Sequence, residues 1–118
     1  MQLLPVLYTD DPETLTRFYT AVGLSIALET PGWSEFALTT GKMALHKPVG
    51  STGDVTRSTG YLEMGFACEA DENLEAIQVK LRAEGFDEGR IQPEPFGRSL
   101  DVSDPEGRRL QINEATDR

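Results

Sequence analysis

Phe96-Gly97-Arg98-Ser99-Leu100-Asp101-Val102-Ser103-Asp104-Pro105-Glu106-Gly107-Arg108-Arg109-Leu110-Gln111-Ile112-Asn113 reads as a hairpin. Leu100 and Val102 alternate with polar residues, Asp104-Pro105-Glu106-Gly107 supplies turn chemistry, and Leu110 and Ile112 alternate again. Two strands therefore meet across a tight reversal. Gln111 stands between the two apolar residues of the final strand and faces the opposite side of the sheet from them.

Upstream, the same kind of hairpin recurs in a longer pattern. Residues 3 to 8 read as a strand, and Asp10-Asp11-Pro12-Glu13 starts a helix with an Asp cap, an early Pro and acid at the positive end of the helix dipole. Leu15, Phe18, Tyr19 and Val22 form its apolar stripe and Gly23 ends it. Strands follow at Leu24 to Leu28, Trp33 to Leu38 and Met43 to Lys47, with turns at Pro31-Gly32 and Gly41. A second strand, helix and three strands run from Tyr61 to Cys68, from about Asn73 to Gly85, near Arg90 to Gln92, and through the closing hairpin. Gly23 answers to Gly85 and Gly41 to Gly107, at offsets of 62 and 66 residues, so a duplication of about sixty residues accounts for the pattern. The expected class is α+β, with two βαβββ modules over about 1–48 and 61–115. The stretch between, about 49–60, is rich in Gly, Ser and Thr and reads as a linker.

The chain has 118 residues, one domain's worth. Twenty acidic residues against eleven basic give a net charge of −9. Such a surface repels phosphate backbones and anionic lipid and draws in cationic small molecules, so neither nucleic acid nor membrane is an expected partner. Met1 to Pro5 lacks a basic leader pattern, no stretch approaches the roughly 20 apolar residues of a membrane span, and the single cysteine, Cys68, allows no internal disulfide. These features suit a cytoplasmic protein. Cys68 reads as a small buried residue on a strand. No serine nucleophile with a paired histidine, phosphate-binding glycine loop or Cys-His pair stands out.

The repeated module resembles the vicinal oxygen chelate superfamily, which includes glyoxalase I, extradiol dioxygenases and bleomycin-resistance proteins. The resemblance rests on Asp11-Pro12-Glu13 through Phe18-Tyr19 to Gly23-Leu24 and on Asp104-Pro105-Glu106-Gly107-Arg108-Arg109-Leu110-Gln111. It implies two incomplete barrels, commonly assembled as a homodimer. Pro5 cannot donate to a central ladder, and a strand interrupted there is placed to exchange with a neighbouring subunit.

Enzymatic members hold a divalent ion with His, Glu and sometimes Gln from the first and last strands of each module. In this chain those positions fall on Leu3, on Ala44 or Leu45, on Glu63 and on Gln111. Two donors remain and neither is imidazole, so the expectation is no metal, no cofactor and no catalytic residue. The only histidine, His46, lies close to one of these positions.

The likeness extends to the metal-free, antibiotic-binding branch at Leu4-Pro5-Val6-Leu7 and at Gln92-Pro93-Glu94-Pro95-Phe96-Gly97-Arg98, where drug-binding members stack an aromatic residue on their ligand. It implies sequestration of an aromatic natural product, bleomycin-like or of a polycyclic or enediyne type, between two subunits and without chemical change. The alternative is a metal-dependent or biosynthetic enzyme of the same fold. A cleft for a flat heteroaromatic compound needs aromatic faces and a few orienting polar groups. The expected ligand-binding residues are Trp33, Phe36, His46, Tyr61, Glu63, Phe96, Arg98 and Gln111. Trp33 and Phe36 lie three apart on one strand, so only one of them faces the cleft.

Overall fold

A computed structural model of the chain describes residues 1–48 and 60–116. The element order is β1 (Gln2–Leu3), β2 (Val6–Tyr8), α1 (Pro12–Val22), β3 (Ser25–Glu29), β4 (Trp33–Leu38), β5 (Gly41–His46), β6 (Leu62–Ala67), α2 (Leu74–Ala83), β7 (Arg90–Glu94), β8 (Gly97–Ser103) and β9 (Arg109–Ala115). This is the expected α+β pattern of two βαβββ modules. The expected strand over 3–8 is broken at Leu4-Pro5 into β1 and β2, as a proline without an amide hydrogen requires. Apart from Gly60, the expected linker lies outside the described residues.

Two compact units divide the chain: Leu4–Glu63, and Met1–Leu3 with Met64–Arg118. In the first, the strand order is β3-β4-β5-β2-β6, with β6 contributing Leu62 and Glu63. β2 runs parallel to β5 and antiparallel to β6; β3, β4 and β5 form an antiparallel meander. In the second, Met64–Ala67 of β6 runs parallel to β9, followed by β8 and β7 in antiparallel order, and β1 pairs with β6 through Gln2↔Ala67 and Leu3↔Phe66.

Each helix begins and ends where the sequence signals it. Asp11 caps α1, its Oδ1 accepting the Thr14 amide at 3.2 Å, and Pro12 takes the first turn. Gly23 closes it at φ 124°, a conformation that suits glycine. Asn73 caps α2, its Oδ1 accepting the Ala76 amide at 2.9 Å.

The stripe expected on α1 is only partly buried. Phe18 and Val22 are exposed, while Thr16 is buried and Tyr19 packs its ring 6.0 Å from that of Phe36. The helix lies on β4 and β5 over a narrow strip, so the outer half of the apolar stripe faces away from the sheet. In the second unit, Leu74 of α2 lies with Leu100, Val102 and Ile112 in a closed core, with Phe66, Ile77, Leu81 and Ile91 around it. Cys68 is half-buried against the same core, just past the end of β6.

Candidate functional site

The two faces of the first unit differ in chemistry. Directly paired residues project to the same side of a sheet. The register Trp33↔His46, Glu35↔Ala44, Tyr8↔His46, Val6↔Ala44 and Val6↔Glu63 puts Val6, Tyr8, Trp33, Glu35, Ala44, His46 and Glu63 on one face. Phe36, paired with Met43, takes the other face, against α1.

On the first face the rings form a row. Trp33 stands edge-on to His46 at 5.3 Å between centroids, His46 edge-on to Tyr8 at 5.0 Å, and Tyr8 is tilted against Tyr61 at 6.0 Å. These spacings fall in the range where edge-to-face aromatic contacts are favourable. The backbone fixes both ends. Thr30 Oγ1 donates to the Trp33 carbonyl at 2.6 Å and accepts the Trp33 amide at 3.1 Å, while the Tyr8 amide donates to the Tyr61 carbonyl at 2.9 Å.

Carboxylates flank the row. Glu35 Oε2 accepts the Trp33 indole N–H at 2.8 Å, and Glu35 Oε1 lies 3.8 Å from Lys42 Nζ. Glu63 is wholly buried, beside Val6. Tyr8 and Trp33 are buried, and His46 and Tyr61 are half-buried, so the last two give the row its accessible edge.

Four of the expected ligand-binding residues, Trp33, His46, Tyr61 and Glu63, thus belong to one unit and gather along β2, β4, β5 and the start of β6. Phe36 does not join them: it is wholly buried on the helix side, because odd spacing from Trp33 turns it away. Tyr8 was missed, although its even spacing from Val6 on β2 was the available signal.

In the second unit, Arg98 faces α2 rather than a cleft. Its guanidinium reaches Glu114 at 2.6 Å and Glu75 at 2.9 Å, and Glu114 also accepts the Leu74 amide at 3.1 Å. The arginine and the two carboxylates tie the start of α2 to β8 and β9. The hydrogen bond from Arg98 holds the Glu75 carboxyl down at about 2. Phe96 sits in the β7–β8 turn, half-buried.

Gln111 is on the face of β9 opposite α2, with Ser99, Asp101 and Asn113. Asp101 pairs with Arg109 at 2.7 Å, Ser99 donates to Glu94 at 2.9 Å, and the buried Asn113 Oδ1 has no hydrogen-bond partner among the described residues.

The donor set does not suit a metal ion. Among the described residues no three His, Cys, Asp or Glu side chains gather so as to hold one. The positions at which the family resemblance implies metal ligands are Leu3, Ala44 or Leu45, Glu63 and Gln111, and only the last two carry a donor atom. Among the described residues no helix is long and apolar enough to cross a membrane.

No protein-family model and no curated protein sequence matches the chain. Solved structures do. The chain is similar to a protein described as an NAD-dependent benzaldehyde dehydrogenase from Legionella pneumophila, with a TM-score of 0.74 and 19% identity over 97% of this chain and 99% of that one. It is also similar to a glyoxalase/bleomycin resistance protein/dioxygenase superfamily member from Vibrio splendidus 12B01, with a TM-score of 0.59 and 14% identity over 96% and 97% of the two chains. A protein from Methanosarcina mazei matches with a TM-score of 0.57 and 18% identity over 98% and 93%. At these identities the likeness is one of architecture, and it agrees with the paired βαβββ modules and the two glycine-ended helices: the chain has the vicinal oxygen chelate fold, that of the glyoxalase/bleomycin resistance/dioxygenase superfamily.

Proposed function

We propose that the protein binds an aromatic, cation-bearing natural product on the Tyr8–Trp33–His46–Tyr61 face and sequesters it unchanged. The observation that carries this reading is the row of four rings at 5.0–6.0 Å with Glu35 beside it on the same sheet face. Rings supply stacking surface for a flat ligand, and carboxylates orient a positive tail. The net charge of −9 steers such a ligand towards the protein. The fold is shared by proteins named for catalysis and for drug resistance alike, so the assignment rests on the site and not on the architecture. In this reading the working form is a cytoplasmic homodimer whose subunits close over the ligand, as the family resemblance implies.

Trp33 is the sole tryptophan, so its fluorescence reports directly on the row. Titration with bleomycins, anthraquinones and enediyne-derived compounds should quench or shift its emission, saturate at two ligands per dimer and return the ligand with its mass unchanged. A modified product released over many turnovers would make the protein an enzyme of the same fold. No response to any of the three classes would remove the basis for sequestration.

A further inference from the structure

Glu35 is engaged closely at one oxygen and loosely at the other. Its Oε2 accepts the Trp33 indole N–H at 2.8 Å, whereas its Oε1 is met by Lys42 Nζ at 3.8 Å, too far for a hydrogen bond. The carboxylate is largely enclosed all the same, with a side chain 15% exposed against 37% for Lys42. A carboxylate withdrawn this far from water ordinarily has close donors for its oxygens. Among the described residues, Oε1 has a distant ammonium instead.

The sheet register explains the distance. Lys42 pairs with Ala37, two residues beyond Glu35 on β4, so its ammonium reaches the carboxylate diagonally across β4 and β5. Directly opposite Glu35 stand Ala44 on β5 and Leu28 on β3, neither with a polar side chain, and Leu28 is 40% exposed. The carboxylate therefore lies among an indole, an apolar side chain open to solvent and a lysine held back from contact. A surface ion pair between neighbouring strands usually adds little to stability, because water and salt compensate each partner. That accounts for the presence of Lys42 but not for an enclosed carboxylate with an oxygen left over.

We propose that Lys42 is a displaceable counter-ion: a cationic N–H of the ligand hydrogen-bonds Glu35 Oε1, and the Lys42 ammonium turns out to solvent. The inference rests on the ring row being the binding face and adds the chemistry of the ligand's positive end. That end is an ammonium or amidinium close to the aromatic ring, and not a quaternary nitrogen, which has no hydrogen to donate. Lys42 acts as a built-in competitor for the carboxylate. A neutral aromatic compound gains nothing by displacing it, so the pair selects for charge while the rings supply the stacking surface.

The test is an NMR titration of the full chain, read at the indole N–H of Trp33, the sole tryptophan. The probes are 2-naphthylmethylammonium, its N,N,N-trimethyl counterpart and the neutral 2-naphthylmethanol. The ammonium should bind saturably and shift the indole signal, and the other two should bind several-fold more weakly. Lys42→Gln should tighten the ammonium about threefold to fivefold, the scale of an exposed ion pair, and leave the alcohol unchanged. Glu35→Gln keeps an acceptor for the indole and should abolish the preference for the ammonium, after which Lys42→Gln should have no further effect. Lys80→Gln removes one exposed positive charge from α2 and should change nothing. Equal affinity for the three probes, unchanged binding in Lys42→Gln, or equal tightening by Lys80→Gln would overturn the proposal and leave the ring row standing as a binding face. Absence of saturable binding by all three probes would overturn both.

Discussion

The indole N–H of Trp33 donates to Glu35 Oε2 at 2.8 Å, a contact between residues two apart on one strand face. A buried indole needs an acceptor, and here a carboxylate supplies one while facing Lys42 on the neighbouring strand. Glu35→Ala should leave the indole without that partner, shift Trp33 emission and destabilise the fold by about 1–3 kcal/mol. Urea denaturation followed by fluorescence and by circular dichroism checks both effects. An unchanged spectrum and midpoint would show that the contact does not persist in solution.

Trp33 and Phe36 share a strand and should separate in function. Phe36→Ala opens a cavity beneath α1 and is expected to cost about 3–5 kcal/mol of stability, with little change in ligand affinity for the molecules that remain folded. Trp33→Ala should weaken an aromatic ligand by about 2 kcal/mol, near thirtyfold. Binding of that variant is followed calorimetrically because the fluorophore is gone. The reverse ranking would place the ligand on the helix side of the sheet.

Acid should loosen the second unit through Glu75. The hydrogen bond from Arg98 holds its carboxyl at about 2 in the folded chain against an ordinary 4.5. Because the folded value lies below the unfolded one, the stabilisation is fully present above about pH 4.5 and is lost as pH falls towards 2. Asp11, Asp87 and Asp104 are also held below their ordinary 3.8, each by hydrogen bonds to its carboxylate, and act in the same direction. Urea midpoints measured from pH 6 down to about 2 should decline below 4.5, and Glu75→Gln should make that decline shallower. An equal slope in the variant would remove Glu75 from the account.

Two glycines with positive φ should respond differently to a methyl group. At Gly89, φ 67°, an added Cβ would clash with the Asp101 carbonyl oxygen; at Gly107, φ 88°, it would meet nothing within 4 Å. Gly107→Ala should therefore show only the left-handed penalty of about 1–2 kcal/mol, and Gly89→Ala that penalty plus displacement of β7 from β8. Thermal melts of the two variants give the comparison. Equal losses would mean that the loop before β7 yields to the clash.

The first strand offers a test of assembly. Gln2 and Leu3 pair with Ala67 and Phe66 of the same chain, and the amino terminus lies 2.9 Å from Glu72. A chain lacking residues 1–7 should form a weaker dimer in sedimentation if these strands are exchanged between subunits. A dimer of undiminished strength would rule out exchange while leaving the dimer itself in place, and a monomeric full-length chain would rule out both.

The local punctuation of the fold was written in the sequence. Asp11-Pro12, Gly23, Asn73 and Asp104-Pro105-Glu106-Gly107 set the ends of α1, the start of α2 and the last turn, because capping geometry, a fixed proline φ and glycine's freedom act within a few residues. Alternation likewise showed that Trp33 and Phe36 must face opposite ways. What alternation cannot say is which way each faces, since that depends on a helix and strands far along the chain. Only the pairing of β4 with β5 and of β5 with β2 brought Trp33, His46 and Tyr8 into one row and gave Phe36 to the core. The same holds for Arg98, whose sequence setting resembles a drug-contacting loop but whose side chain is drawn to Glu75 and Glu114 from separate elements.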